Sequence, residues 1–210
     1  MYKLNLDPGS RVRVLKSLTL LAAILAFALV VVGNIVRVTN SGLGCPDWPL
    51  CYGNVLPVLR SDAIIEVAHR VFAALVSVLV VVIAIMNMRW KTSLARLSAV
   101  SLGLLAVQII LGALTVWLQL QALIVALHLV TGMALLGCMV AMAVLLRTEE
   151  QLQRTLQARS YGRAAATTAA AIFVLLFTGG LVSGNGAALA CNMSFRCAMA
   201  NCCPTAVRWC

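Results

Sequence analysis

Five long apolar blocks, separated by short polar links, dominate the chain. They lie near Leu15–Val36, Ile64–Met88, Leu94–Leu118, Leu123–Leu146 and Ala164–Ser183. Each is long enough to cross about 30 Å of hydrocarbon, which takes roughly 20 helical residues. Composition agrees, since 62% of the 210 residues are hydrophobic and only 10% are charged. The mean hydropathy of +1.01 lies outside the range of soluble domains. The pattern predicts an all-α integral membrane protein, a helical bundle of five spans.

The formal net charge of +10 would suit a nucleic-acid binder, but the cations are gathered in the links between spans. Lys3, Arg11, Arg13 and Lys16 precede or open the first span, Arg89, Lys91 and Arg96 join the second to the third, and Arg147, Arg154, Arg159 and Arg163 precede the fifth. The segment Thr39–Ala63 has Arg60 alone, against Asp47 and Asp62, and Gln119–Ala122 has no cation. This asymmetry reads as an orientation signal. It predicts a multi-pass protein of the inner cell membrane with its N-terminus in the cytoplasm, partnered by lipid and not by nucleic acid. Residues 1–14 read as a polar cytoplasmic lead. The first apolar run is too long for the core of a signal peptide, so it is a retained helix.

Chemistry concentrates at Ile64–Arg70, where Glu66, His69 and Arg70 open the second span. Ionisable groups at membrane depth are costly and usually functional. Glu66 and His69, three apart, share one helix face. The other histidine, His128, sits about one and a half turns into the fourth span, which enters from the same side as the second. Two neutral imidazoles at one depth on neighbouring helices can hold a haem iron from both faces. The plainer reading makes each a partner in a hydrogen bond between helices, and the match in depth favours ligation. Glu66 is evenly divided between pairing with Arg70, Arg37 or His69 and acid–base work beside a redox centre. Met133, Met139 and Met142 are read as core filler. In the third span Gly103, Ala106, Gly112 and Ala113 allow close helix approach, and Gln108 offers an interhelical hydrogen bond.

Between the first two spans, Thr39–Gly53 is dense in glycine and proline, which forbids helix and predicts a compact loop with Trp48 and Tyr52 at the membrane surface. Cys45 and Cys51 lie on its oxidising side, where a disulfide is the expected state. Their five-residue gap and the lack of a nearby histidine disfavour zinc.

The run Arg37-x-Thr39-x-Ser41-Gly42-Leu43-x-Cys45-Pro46-Asp47-Trp48-Pro49-Leu50-Cys51, followed by Glu66-x-x-His69-Arg70, resembles the haem A synthase family. The resemblance runs from the first span to about Cys191. It implies an eight-helix enzyme in two four-helix halves that oxidises a ring methyl of haem O to the formyl of haem A. On that pattern His69 and His128 are the axial ligands of the haem substrate, Glu66 is the catalytic residue, and Cys45 and Cys51 are disulfide-bonded. Arg37 and Arg70 become candidates for the haem propionates on charge and depth. Haem O synthase, oxidase assembly factors and a second copy of the chain are the partners to consider. The other class of reading is a bis-histidine b-type cytochrome that only carries electrons, or an inactive haem-binding remnant.

The family's second half holds a haem b between two further histidines. Val36–Cys45, closing the first span, aligns with Val182–Cys191, closing the fifth, as expected of a parallel repeat. The chain therefore divides into a haem-substrate half (1–147), a link and first helix of the second half (148–190), and a cysteine-rich tail (191–210). The tail has no histidine and no span, so the haem b site is missing from it. Shifted by one frame, the codons of 195–204 can encode Pro-Leu-Cys-x-Gly-x-Leu-Leu-Pro, which aligns with Pro49–Pro57. This predicts a reading-frame slip after about Cys191. The alternative is a genuine tail whose cysteines bind metal or form bridges.

Overall fold

The computed structural model describes residues 8–54, 59–90, 92–148 and 158–184. The tail 191–210, the repeat segment beyond Gly184, Lys3, Lys91 and Arg154 lie outside them. Helices make up most of the described residues: α1 (Pro8–Val38), α2 (Ser61–Arg89), α3 (Ala95–Trp117), α4 (Ala122–Thr148) and α5 (Ala158–Gly184). All five are long and apolar enough to cross a membrane, and no strand occurs among the described residues. The chain is a multi-pass, all-helical membrane protein.

The helices follow the predicted spans with one correction. Residues 8–14, expected as a polar lead, are the first turns of α1. Proline is pre-set for the opening position of a helix, and Arg11 and Arg13 are good helix formers. Polarity alone thus marked the membrane boundary and not the helix boundary.

α1 packs on α2 and α4, and α3 packs on the same two helices. The four close into a ring in chain order, with the described loop residues 39–54 following α1. α2 and α4 therefore stand at opposite corners of the ring, not side by side as the sequence reading has them. That arrangement leaves the bundle axis between them. The core below it is built of Leu15, Ala22 and Ala26 from α1, Val76, Val80 and Ile83 from α2, Leu105 from α3, and Leu135, Met139 and Met142 from α4. Large apolar side chains such as Ile24, Phe27, Val78 and Ile110 point outward, as they do where the solvent is lipid. Within α3, Gly112 and Ala113 turn inward, whereas Gly103 meets no neighbour and Ala106 is exposed, so only the first pair serves close approach.

α5 stands outside the ring against α4. Gly180 and Gly184, one turn apart, lie on Ala126 and Ala122, and a β-carbon at 184 would come within 2.7 Å of the Ala122 Cβ. In lipid no hydrophobic force gathers helices, so backbone approach at small residues supplies the dispersion contact that does.

At the end of the bundle that carries the N-terminus, the fully buried Asn87 ties three elements together. Its amide donates to Ser98 Oγ at 2.8 Å, and its carbonyl accepts from Thr92 Oγ1 at 2.7 Å. Ser98 Oγ in turn donates to Met142 Sδ at 3.4 Å. Replacing Asn87 by alanine would strand Ser98 and Thr92 and open a void. We expect Asn87→Ala to lower stability by about 2–4 kcal/mol in a denaturant titration in detergent, the sum of lost partners and cavity. A loss below about 0.5 kcal/mol would mean the network is not holding α2, α3 and α4 together.

Candidate functional site

The site is built at the opposite end, where loop residues 39–54 cover the ring. α1 ends in hydrogen bonds from Thr39 N–H to Ile35 O and from Ser41 N–H to Val36 O, with Asn40 in the left-handed region at φ 53°. Asparagine tolerates that region better than most residues. Four residues on, Gly44 lies flat on the start of α2. A β-carbon there would fall 2.5–2.7 Å from the backbone of Asp62 and Ala63, a contact only glycine avoids. Cys45 and Cys51 are joined as a disulfide and are both buried against Ala63. The second turn of the loop is held by Asp47, whose carboxylate accepts the N–H groups of Tyr52 at 2.6 Å and Gly53 at 2.8 Å. Trp48 stands edge-on to Trp117 at the end of α3, centroids 6.1 Å apart, a contact that fixes the loop across the ring.

Glu66 and Arg70 are the anchor beneath this loop. Glu66 is buried, with 4% of its surface exposed. One carboxylate oxygen accepts the Cys45 N–H at 2.8 Å, and the other accepts from Arg70 Nη2 at 2.5 Å. Arg70 Nη1 donates to the carbonyls of Asp47 at 2.9 Å and Leu50 at 2.6 Å, with that of Pro49 at 3.4 Å. A planar guanidinium can serve a carboxylate and a loop at once, which an ammonium point charge cannot do with the same geometry. Of the three partners the sequence allowed Glu66, the structure selects Arg70. Arg37, half-buried at the end of α1, enters no ion pair among the described residues.

His69 and His128 face the interior below this anchor. They lie eight and six residues into α2 and α4, which at 1.5 Å per residue is about 12 and 9 Å from the helix starts. Each rests against a glycine of a flanking helix. A β-carbon at Gly33 of α1 would sit 3.2 Å from His69 Cε1, and one at Gly112 of α3 would sit 3.4 Å from His128 Cε1. The two glycines make the room that the imidazoles occupy. His128 Nε2 lies 3.2 Å from the Gln108 side-chain amide, which itself nestles against Gly132. Gln108 does bridge two helices, as the sequence suggested, but its partner being a histidine was not legible there.

What sets this region apart is what it leaves unpaired. Among the described residues, His69 Nδ1, His128 Nδ1 and Gln108 Oε1 are the buried side-chain polar atoms with no hydrogen-bond partner. Buried polar groups are nearly always satisfied, and an orphan costs about 1–3 kcal/mol. Three on facing elements, with two imidazoles among them, mark a cradle for a group not made of protein. The residues fit a haem, since the imidazoles rise from opposite corners of a four-helix ring and glycines thin the two remaining walls.

Asp47 gives the loop an acid limit. The Gly53 N–H above all, and then that of Tyr52, hold its carboxyl below the ordinary value of 3.8. A carboxyl with a lowered folded pKa contributes fully above its unfolded pKa and loses that contribution as pH falls through the folded one. Loop order, followed by fluorescence of the Trp48–Trp117 pair, should therefore hold from neutrality down to about pH 4 and fail below it. Asp47→Asn should remove that acid transition, and an unchanged transition in the variant would assign it elsewhere. In the same loop, Gly44→Ala should free the disulfide turn from α2 and cost about 1–3 kcal/mol, as overpacking does, a cost that thermal unfolding in detergent would register.

Comparison with known proteins agrees with this geometry. The model of the COX15-CtaA family, described as cytochrome oxidase assembly protein, matches residues 16–65 and 59–210. Curated relatives carry the name "Heme A synthase". The protein of Bacillus licheniformis is 38% identical over 80 residues, 38% of this chain and 26% of the relative. That of Staphylococcus saprophyticus is 36% identical over 101 residues, 45% of this chain and 33% of the relative. That of Exiguobacterium sp. is 28% identical over 172 residues, 78% of this chain and 56% of the relative. The matches thus span between about a quarter and somewhat over half of those relatives' lengths. With a helical bundle, a disulfide loop and two interior histidines in place, the family match over nearly the whole chain is decisive: this protein belongs to the COX15-CtaA family of cytochrome oxidase assembly proteins.

Proposed function

We propose that the ring of α1–α4 holds haem O between His69 and His128 and takes part in oxidising a ring methyl of that haem to the formyl of haem A. One observation carries the reading: two interior imidazoles and a glutamine amide each keep a buried polar atom without a hydrogen-bond partner. The names of the relatives supply the substrate class. Bound there, haem iron would supply the redox chemistry that methyl oxidation needs.

The chain's own residues then divide the work. His69 and His128 would each offer one ring nitrogen to the iron, and Gln108, which holds His128 at Nε2, would orient that ring. Glu66 keeps its carboxylate fixed one helical turn nearer the loop than His69. Arg70 and the Cys45 N–H use two of its roughly four lone-pair directions. The others could orient a water or accept a proton. Arg37 is the better placed cation for a propionate, because Arg70 is already committed to Glu66 and the loop. The disulfide turn, clamped by Glu66, Arg70 and Trp117, would shield the bound haem from bulk water. The charge asymmetry of the links supports an outer position for this end and a cytoplasmic N-terminus.

Haem extraction from cells that make this chain together with haem O tests the reading. His69→Ala and His128→Ala should each abolish the low-spin absorption bands of the purified protein. Glu66→Gln should retain bound haem O and yield no haem A. Low-spin bands that survive both histidine changes would place the haem elsewhere, and normal haem A output from Glu66→Gln would reduce Glu66 to the loop's anchor.

A further inference from the structure

The plane of an imidazole ring is not set by the histidine itself. The second side-chain torsion of histidine is broad and roughly twofold, so the surroundings decide where the ring comes to rest. In a metal site the usual device is a hydrogen bond: the ring nitrogen that does not bind the metal donates to a carboxylate, a carbonyl or water, and this fixes the orientation. Among the described residues, neither His69 Nδ1 nor His128 Nδ1 has such a partner, and both atoms are buried. His128 is steadied from its other nitrogen by Gln108, at 3.2 Å.

Packing against glycine takes over the task. Gly33 of α1 stands against the Cε1 edge of His69 and Gly112 of α3 against that of His128, where β-carbons would lie 3.2 and 3.4 Å away. Gly132, one turn deeper into α4 than His128, gives the same room to Gln108, whose amide nitrogen would lie 3.0 Å from a β-carbon there. The glycines of α3 and α4 are sorted by what they face, since Gly103 and Gly137 meet nothing within 4 Å. A glycine inside a helix costs about 1 kcal/mol relative to alanine, and at 33, 112 and 132 room for a side chain of the site accounts for that cost. Resting on the haem reading above, we infer that Gly33 and Gly112 are positioning residues of the site, flat walls that set the ring planes of His69 and His128 in place of the missing hydrogen bonds.

The two walls are unequal, and the inequality gives the inference its content. At 3.2 Å a β-carbon on Gly33 is closer than ordinary van der Waals contact, so alanine there must turn or push the His69 ring. At 3.4 Å a β-carbon on Gly112 only reaches contact, and Gln108 restrains His128 besides. His69 is therefore the ring whose plane rests on its glycine, and His128 is shared between a glycine and an amide. Gly132 acts on His128 at second hand, by seating Gln108. The plane of an axial imidazole governs its π overlap with the iron, so these walls would tune the electronic state of a bound haem without touching it.

Because the chain has two histidines, carbon-13 labelling at histidine Cε1 gives one NMR resonance for each in the haem-free full chain in detergent, assigned with His69→Ala and His128→Ala. Gly33→Ala should shift the His69 resonance and leave that of His128 in place. Gly112→Ala should shift only the His128 resonance, and by less, while Gly103→Ala and Gly137→Ala should shift neither. In the chain loaded with haem O, Gly33→Ala should keep the low-spin electron paramagnetic resonance signal and move its largest g value, which Gly103→Ala should leave alone. Circular dichroism checks the fold of each variant, and Gly112→Ala with Gly132→Ala carries the test at His128 should Gly33→Ala unfold. A His69 resonance or a g value unmoved in folded Gly33→Ala, or moved equally by Gly103→Ala, would overturn the inference and leave the haem reading standing. An unaltered chain with no low-spin signal would overturn the haem reading, and the inference with it.

Discussion

A polar atom inside a hydrocarbon-facing bundle has no water to fall back on, and this chain is organised by that constraint. Among the described residues, backbone groups are satisfied by making five helices. Side-chain groups are satisfied by a few local circuits: Asn87 with Ser98, Thr92 and Met142 at one end, and Glu66 with Arg70 and Cys45 at the other. Where the constraint is broken, at His69, His128 and Gln108, the break is itself the evidence of a site. The remaining energy of association comes from close contact at small residues, as between Gly180, Gly184 and α4.

The Glu66–Arg70 pair links the two halves of the functional argument. It is a pair one turn apart on α2, so the sequence spacing alone allows it. Its depth makes it consequential, because removing either partner leaves a charge unpaired in a place with little solvent. Through Arg70 it grips three loop carbonyls, and through the Cys45 N–H it fixes the disulfide turn. A carboxylate proposed to serve chemistry is thus also the peg on which the disulfide loop hangs. Loss of Glu66 would affect both, so the conservative Gln variant is the informative one.

Five spans, their approximate limits, the compact loop and the interior histidines were legible because hydropathy, turn residues and ionisable groups in apolar runs are one-dimensional signals. The start of α1 was not, since Arg11 and Arg13 are polar yet helical. Nor was the corner-to-corner placement of α2 and α4, which depends on which helices close the ring. The partner of Glu66 was narrowed to three and settled only by the loop's path. Gln108 was legible as an interhelical donor, but its reach to His128 needed Gly132 to clear the way. Gly33 and Gly44 read as ordinary turn or helix residues; their task, making room for His69 and for the disulfide turn, is a tertiary fact.

The central claim is that His69 and His128 together hold one haem. Electron paramagnetic resonance of the ferric, haem-loaded chain reads the axial ligands directly. The account predicts a low-spin signal of bis-imidazole type at one haem per chain, converted to high spin in His69→Ala and in His128→Ala. A high-spin signal in the unaltered chain, or a bis-imidazole signal that outlasts either substitution, would contradict it.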